Sequence, residues 1–592
     1  MAVNQSSEAL RRPLGALRVA FPVVAAVSLV LGYVGFGQYL SAARSSFGDA
    51  PIDLVYYDLQ LFVLGADPLQ NGGSVPVLLQ IARLTAPAVT LYALIEAARM
   101  LYSVEVSRWR ARSATGHAIV CGDTRFADAL TRTLRAEGTQ VVEIRGQADD
   151  FVTAGEPLRI VGDARDPDVL RAAGIDQAAA VYACADGSAV NAAIALAART
   201  VRARRSSPIT VHSHIADPDL CATFQAAFLG QPARDDVRVD FFNINQIAAR
   251  RLFDDDPVLA VESRPPSLMV SGPSGFGAAA VVAAARSWRV IRPNSAALPV
   301  SVTGPGAGSV VDELSLRYPF LTQACRFSTD ERELLALLAA GEIHRPPDRL
   351  LVCHRDEEHA LKTAMAAERS WRGRVRSIVV RLDSLWPYLR QPAGSTGPRP
   401  SHPDRAGVPA GEGAALLDAG TGVLRPFGVV AAACDLALIR EDLIERLAHI
   451  IHERYRLGRR QRGEWVPGDP SLRPWHELTP RLRRANRAQA EDIGRKLADV
   501  HCTISPRFGP GGDVVLSEDD LDHLARSEHD RWLAEHRNAG WQFAPERCEK
   551  AKLHPGLRPW AQLPTPFRNR CHDAVRELSD ILADAGFRIV RG

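Results

Sequence analysis

The sequence predicts a multi-domain protein: an N-terminal α-helical transmembrane hairpin, two doubly wound α/β domains, and a C-terminal, mainly α tandem repeat. Three observations predict it. Two long apolar stretches lie near the N-terminus; strands, glycine turns and helices alternate from about His117 to Leu389; and "HERY…DPSLRPWHEL" recurs as "HDRW…HPGLRPWAQL" near the C-terminus. At 592 residues the chain is too long for one core. Its 71 basic and 68 acidic residues leave a net charge of +3, which gives no reason to expect a nucleic-acid partner. Nine cysteines without a C-x-x-C pair suit a reducing compartment, not a disulfide frame or zinc site.

The hairpin is expected over residues 1–114. Residues 19–43 carry no charge and are long enough to cross a bilayer, which gives a first span over about 19–41. The stretch is long for a signal-peptide core, although "YLSAAR" faintly resembles a cleavage site. A second span is expected over about 76–102 and contains Arg83, Glu96 and Arg99. Arg83 would lie about 12 Å into a helix starting near Val75. There it faces protein or water, or it snorkels to the surface if the helix starts later. Between the spans, 53–64 is expected as a short helix, either re-entrant or external. It is followed by "VLGAD", whereas a potassium filter needs a glycine-rich run like TVGYG. Gly65 keeps the position without the chemistry, and Gly65, Asp67 and Arg83 are the pore candidates. Arg11, Arg12 and Arg18 precede the first span, and Arg108, Arg110 and Arg112 follow the second. This places both termini in the cytoplasm of a multi-pass cell-membrane protein, with the bilayer as its first partner.

Beyond the basic flank, "HAIVCGDTRFADALTRTLRAEGTQVVEI" reads as strand, glycine turn, helix and strand, and two more such units follow. With "GDARDPDVLRAAGI", which contains Asp163, residues 115–265 resemble the RCK (regulator of potassium conductance, or TrkA-N) family. The resemblance implies an α/β Rossmann-like domain that hangs below a channel or transporter and converts ligand binding into gating. A dinucleotide turn wants G-x-G-x-x-G and an acid at the end of the second strand. Here Gly122, Thr124 and Ala127 stand at the glycine positions, and Arg145 stands at the acidic one, with Glu143 two residues away. The NAD-type fingerprint is therefore degenerate, and the cofactor is unknown, a nucleotide or dinucleotide being the class to test.

A second RCK-like domain is expected over 266–390, with Gly272, Ser274 and Gly277 at the three turn positions and no P-loop Lys-Ser/Thr. Residues 391–430 are rich in Pro, Gly and Ser and read as a linker. Tandem copies behind a membrane hairpin resemble channels with a double gating ring, which implies a homo-oligomer, a tetramer by that resemblance.

The repeat occupies 431–592, with a degenerate copy at 435–505 and a well-matched one at 518–592. The offset is 77 residues at the HxRY/HxRW segment and 85 at the LRPW segment, so the later copy carries an insertion. The second copy resembles the repeat domain of ryanodine receptors, the RyR domain, through His529, Trp532, Gly540, Trp541, Lys552, His554, Pro555, Leu557 and Leu563. The first copy has Tyr455 for Trp, Asp469 for His and a displaced Trp465. His529, Arg531, Trp532, Trp541, Lys552, His554 and Trp560 offer aromatic faces beside cations, a kit for stacking a base and holding phosphate. The same tryptophans also suit a packed core. His449 and His452 lack the glutamate spacing of a metalloprotease helix, and no metal is expected.

No nucleophile elbow, metal constellation or intact P-loop is present, so an enzyme is not expected. The leading expectation is a ligand-sensing, ion-channel-like membrane protein. Its alternative is a non-conducting, membrane-anchored scaffold that uses the RyR-like pair as a binding module.

Overall fold

Three helices make up most of the first of two units into which the chain divides, Met1–Arg110 and Ala111–Gly592. The computed structural model describes residues 11–592 except 44–46, 66, 73, 147–156, 202–208, 230–236, 259–263, 274, 292–295, 386–422, 509–511 and 549. Ser274 and most of the expected linker thus lie outside the described residues.

The helices are α1 (Arg11–Ala43), α2 (Pro51–Phe62) and α3 (Val77–Ser113). Phe21–Ala42 and Val77–Ala98 are long and apolar enough to cross a membrane. Pro51 opens α2, where its missing N–H costs nothing. Leu54, Tyr57 and Leu61 of α2 pack against Phe36, Tyr39 and Leu40 of α1 and Leu79 of α3. Ser28 Oγ donates to Thr85 Oγ1 at 2.7 Å, tying α1 to α3.

In the second unit the chain first builds β1 (Ala118–Cys121), α4 (Arg125–Ala136), β2 (Val141–Arg145), β3 (Leu158–Val161), α5 (Pro167–Ala172), β4 (Ala180–Ala183), α6 (Ser188–Thr200), β5 (Ile209–His214), α7 (Pro218–Phe228), β6 (Val237–Phe242) and α8 (Ile244–Asp255). All strand pairs are parallel, in the order β3-β2-β1-β4-β5-β6, the doubly wound arrangement the alternation predicts. The strands are short apolar runs because helices cover both faces of the sheet.

The second α/β domain repeats the plan with β7 (Leu268–Ser271), α9 (Phe276–Ile291), β8 (Leu298–Thr303), α10 (Ala307–Arg317), α11 (Phe320–Ala324), β9 (Cys325–Asp330), α12 (Leu334–Ala339), β10 (Arg349–Val352), α13 (Glu357–Ser370) and β11 (Ser377–Arg381). Its sheet runs β12-β11-β10-β7-β8-β9, the same order read in its own sequence. The sixth strand, β12 (Leu424–Phe427), pairs in parallel with β11. The segment expected as linker through 430 therefore re-enters the sheet at Leu424. The helices that follow, α14 (Val429–Ala433) and α15 (Leu436–Ile439), bury Val429, Leu436 and Ile439 in one apolar cluster with Phe126, Leu252, Phe276 and Trp288. That cluster joins both sheets, so the two α/β domains share a core, and the repeat module starts after α15, not at 431.

The module comprises α16 (Leu443–Gln461), α17 (Pro480–Glu491), α18 (Ile493–Asp499), β13 (Cys502–Pro506), α19 (Glu518–Asn538), the short strands β14 (Gln542–Phe543) and β15 (Leu553–His554), α20 (Thr565–Arg576), α21 (Leu578–Asp584) and β16 (Phe587–Arg591). Asp442 caps α16, and a Ser517/Asp520 capping box opens α19. β13 and β16 pair antiparallel about Ile504 and Ile589, which are equivalent residues at the 85-residue offset. The two copies are therefore related by a local two-fold axis through this pair. Leu447, Ile451, Ile493, Leu497, Leu524, Leu578 and Leu582 from both copies form one core. Burying each such side chain contributes about 1.5–3 kcal/mol, so neither copy has a complete core alone. The insertion is the β14–β15 segment.

Candidate functional site

The crevice of the first α/β domain lies beyond the C-terminal ends of β1 and β4, where the winding reverses. Gly122 turns there with φ +127°, and a Cβ would lie 2.6 Å from the Ala185 nitrogen, so glycine is required. Thr124 is drawn into capping α4: its Oγ1 accepts from Ala127 N at 3.1 Å and donates to Cys184 O at 2.7 Å. Asp123 accepts from Gly146 N at 3.1 Å, closing the β1 turn onto the end of β2. Arg145, the last residue of β2, donates to Glu143 Oε2 at 3.0 Å and to Asp128 Oδ1 at 2.5 Å. Burial alone would lower its pKa, but these carboxylates outweigh it and hold the guanidinium more firmly charged than usual. Asp163 closes its own turn, accepting from Arg165 N at 2.9 Å and from the Arg165 side chain. The polar groups named here thus satisfy one another, and Arg145 is committed to carboxylates.

In the second domain Gly272 (φ +82°) makes the matching turn, with a Cβ position 3.0 Å from His354 N. Gly277 passes so close to Gly272 O that a Cβ would lie 2.2 Å away, which keeps the close helix–strand packing of the third fingerprint glycine. His354 and Glu333 reach the same edge, and burial lowers the His354 pKa against the opposing pull of Glu333. The sequence reading named neither residue, since the two donors come from separate segments and leave no spacing motif.

In the repeat module the residues picked from the second copy do converge. Trp532 stacks on His529 at 6.0 Å and lies 4.9 Å from His554, while Trp541 lies 5.5 Å from His536. Their surroundings are those of a core. His529 and His554 are buried, and Trp541 packs with Leu533 and Leu557. His529 Nε2 bonds Arg558 O at 2.6 Å, and Gly556 N donates to His554 Nδ1 at 3.0 Å. Lys552, at φ +52°, donates to Ala539 O at 2.9 Å. Arg531 donates to Glu528 and Glu535, and Glu528 also accepts from buried Lys496. Trp560 sits at the rim, with Arg568 5.7 Å from its ring centre.

The first copy repeats the frame without the filling. His452 Nε2 bonds Arg473 O at 2.8 Å, the counterpart of the His529–Arg558 bond, which marks His452 as a packing residue. Trp475 stacks on His449 at 5.4 Å. Tyr455, standing for Trp532, is exposed, Asp469 stands for His554, and Trp465 is displaced. The result is an open surface depression of about 430 Å³ lined by Arg456, Trp465, Asp469, Leu472, Arg473 and Glu477. Arg460 lies over Trp465 at 4.1 Å and Arg456 at 5.9 Å. Sequence favoured the second copy as the binding one, yet the open space beside aromatic and cationic groups is in the first.

Of the pore candidates, Gly65 ends α2, its N–H donating to Gln60 O at 2.8 Å. Asp67 accepts from Gln60 Nε2 at 2.8 Å, and Arg83 is exposed.

Residues 118–229 match the TrkA-N domain family and residues 516–591 match the RyR domain family. The first α/β domain is TrkA-N-like over residues 118–229. The second copy of the repeat is RyR-like. No curated protein matches the chain. A solved structure of GsuK bound to ADP shares 14% identity and a TM-score of 0.34, over 73% of this chain and 99% of that one. The GsuK channel bound to NAD shares 11% identity and a TM-score of 0.34, over 88% and 91%. The A chain of dipicolinate synthase from Bacillus subtilis shares 12% and a TM-score of 0.20, over 56% and 98%.

Proposed function

We propose that this chain is a ligand-sensing, ion-channel-like membrane protein in which cytosolic RCK and RyR-like domains take up a nucleotide-type ligand and regulate the helical hairpin. It acts as a homo-oligomer, without catalysis, with both termini in the cytoplasm. The observation that carries the reading is the depression in the first RyR-like copy. Trp465 offers an aromatic face, Arg460 and Arg473 bring cations beside it, and the volume suits a small ligand. Regulation follows if the ligand binds two arrangements of the cytosolic body unequally. The TrkA-N match and the two apolar helices support a regulated membrane part.

The test is a thermal-shift screen of the full chain in detergent against nucleotides and cyclic nucleotides. A ligand at a hundred times its Kd adds about 2.7 kcal/mol, and Trp465→Ala removes the shift. No shift with any nucleotide, or a shift that Trp465→Ala leaves intact, contradicts the assignment.

The alternative is a non-conducting, membrane-anchored scaffold. It is favoured by the stretch after α2, where Gly65 stands alone before Asp67 and Pro68 and the glycine-rich run of a potassium filter is missing.

A further inference from the structure

We propose that Glu333, His354 and His359 form a binding site for a divalent transition-metal ion of the Zn²⁺ class at the C-terminal mouth of the second α/β domain. Glu333 precedes α12, His354 lies two residues past β10, and His359 sits in the first turn of α13. The winding reversal between β7 and β10 brings these separate segments to one edge.

The geometry points to an ion and not to hydrogen bonding among the three. His354 Nε2 lies 3.7 Å and His359 Nε2 3.6 Å from the same oxygen, Glu333 Oε2. Those distances are too long for hydrogen bonds. Yet Glu333 Oε2 and His359 Nε2 are sequestered from solvent and have no hydrogen-bond partner among the described residues. Buried polar atoms without partners are uncommon and call for one. Bonds of about 2.0–2.1 Å to nitrogen and oxygen place neighbouring ligands of a tetrahedral Zn²⁺ about 3.3–3.4 Å apart. The two spacings to Glu333 need to close by only a few tenths of an ångström, and all three donor atoms lie within 4.8 Å of one another.

The donor set has the right chemistry. Two imidazoles and one carboxylate suit Zn²⁺, Co²⁺ or Ni²⁺ and leave one position for water or an anionic group. Ser271, at the end of β7, places its hydroxyl 2.9 Å from His354 Nε2. That hydroxyl bonds the nitrogen that faces Glu333 and gives way when His354 Nε2 takes the ion, which leaves it beside the open fourth position. The side chains of His354, Glu333 and His359 are 12%, 37% and 32% exposed, so the site lies at the surface with its donor atoms turned inward. The first domain has Ala185 and Val190 where the second has His354 and His359, by alignment of β4–α6 with β10–α13. The site therefore belongs to the second domain and is not a general feature of the two sheets.

The experiment uses the full-length chain in detergent, stripped with a chelator and titrated with Zn²⁺ against a chromogenic zinc chelator, then with Co²⁺ followed by visible absorption. The wild type is expected to take one tight equivalent and to show the intense d–d bands of low-coordinate Co²⁺. His359→Ala and Glu333→Gln, both at partly exposed positions, should weaken that equivalent by at least about 100-fold, the upper end of the loss from an outer partner. Ser271→Ala, which removes the hydroxyl competing for His354 Nε2, should leave it at least as tight, and His476→Ala, at an exposed histidine, should change nothing. Circular dichroism confirms that each variant folds. Absence of a tight equivalent in the wild type, or its retention in both His359→Ala and Glu333→Gln, overturns the proposal.

Discussion

Asp584 joins the repeat module to the second α/β domain, and removing its charge should loosen that joint without unfolding either part. Its carboxylate, 8% exposed at the end of α21, accepts from Arg289 at 3.1 and 2.6 Å and from Arg454 of the other copy at 3.1 Å. Arg286 separately donates to the Asp584 carbonyl at 2.7 Å. Burial pushes the carboxyl pKa up, but Arg289 and Arg454 outweigh it and hold it below the ordinary value. Removing one partner of a buried pair costs about 3–5 kcal/mol. Arg289 and Arg454 are 24% and 23% exposed and regain some water, so about 2–4 kcal/mol is expected for Asp584→Ala. At 1.36 kcal/mol per decade, amide exchange in α21 and the last turn of α9 should accelerate roughly 30- to 1,000-fold. Asp584→Asn keeps the shape and the Arg286 bond and should show the lower end. The control is built in: Asp499, the equivalent residue of the first copy, pairs only with half-exposed Arg495. Asp499→Ala should cost less than about 1 kcal/mol. Because the folded Asp584 carboxyl titrates below its unfolded value of about 3.9, its contribution is complete at neutral pH. It is lost as pH falls below about 4 toward the folded value. Hydrogen exchange by mass spectrometry reads all of this in the intact chain. An Asp584→Ala change under about threefold, or one matched by Asp499→Ala, would refute the reasoning.

Three further outcomes follow from the same packing. Glu528 accepts from Lys496, which is 2% exposed, and from Arg531, so Glu528→Ala should open α18 and α19 by about 3 kcal/mol, seen as roughly 100-fold faster exchange there. Gly122→Ala places a Cβ against the Ala185 backbone at positive φ and should destabilise the first domain by about 2 kcal/mol or more, read as faster exchange in β1 and β4. His214, packed on Phe126 and Phe242, has its pKa lowered to about 4 by burial. It is neutral when folded and protonates below about 6.5 when unfolded. The first domain should therefore lose up to about 3 kcal/mol as pH falls from 6.5 to 4, and His214→Phe should flatten that profile; an unchanged profile would remove His214 as the cause.

Much of the architecture was legible because it is written locally. Glycine turns after short apolar runs placed β1 and β7, the period change placed the crossover helices, and the 77- and 85-residue offsets located the insertion at β14–β15. What failed to show was non-local. β12 pairs with β11 across a Pro- and Gly-rich stretch, and nothing in four residues, Leu424–Phe427, announces a sixth strand. Trp541, His529 and His554 have the residue types of a binding site and the burial of a core, a distinction that only packing decides. The depression at Trp465 arises from side chains the first copy lacks, and Glu333, His354 and His359 meet only because the sheet winds both ways.

The central claim is that nucleotide binding in the cytosolic body sets the state of the membrane part. Current through planar bilayers carrying the purified full-length protein tests it most directly, with a nucleotide panel added from the cytosolic side to wild type and Trp465→Ala. The account predicts a conductance that at least one nucleotide changes in the wild type and leaves unchanged in Trp465→Ala. Protein that binds nucleotide yet never conducts under any member of the panel would contradict it and leave the scaffold in its place.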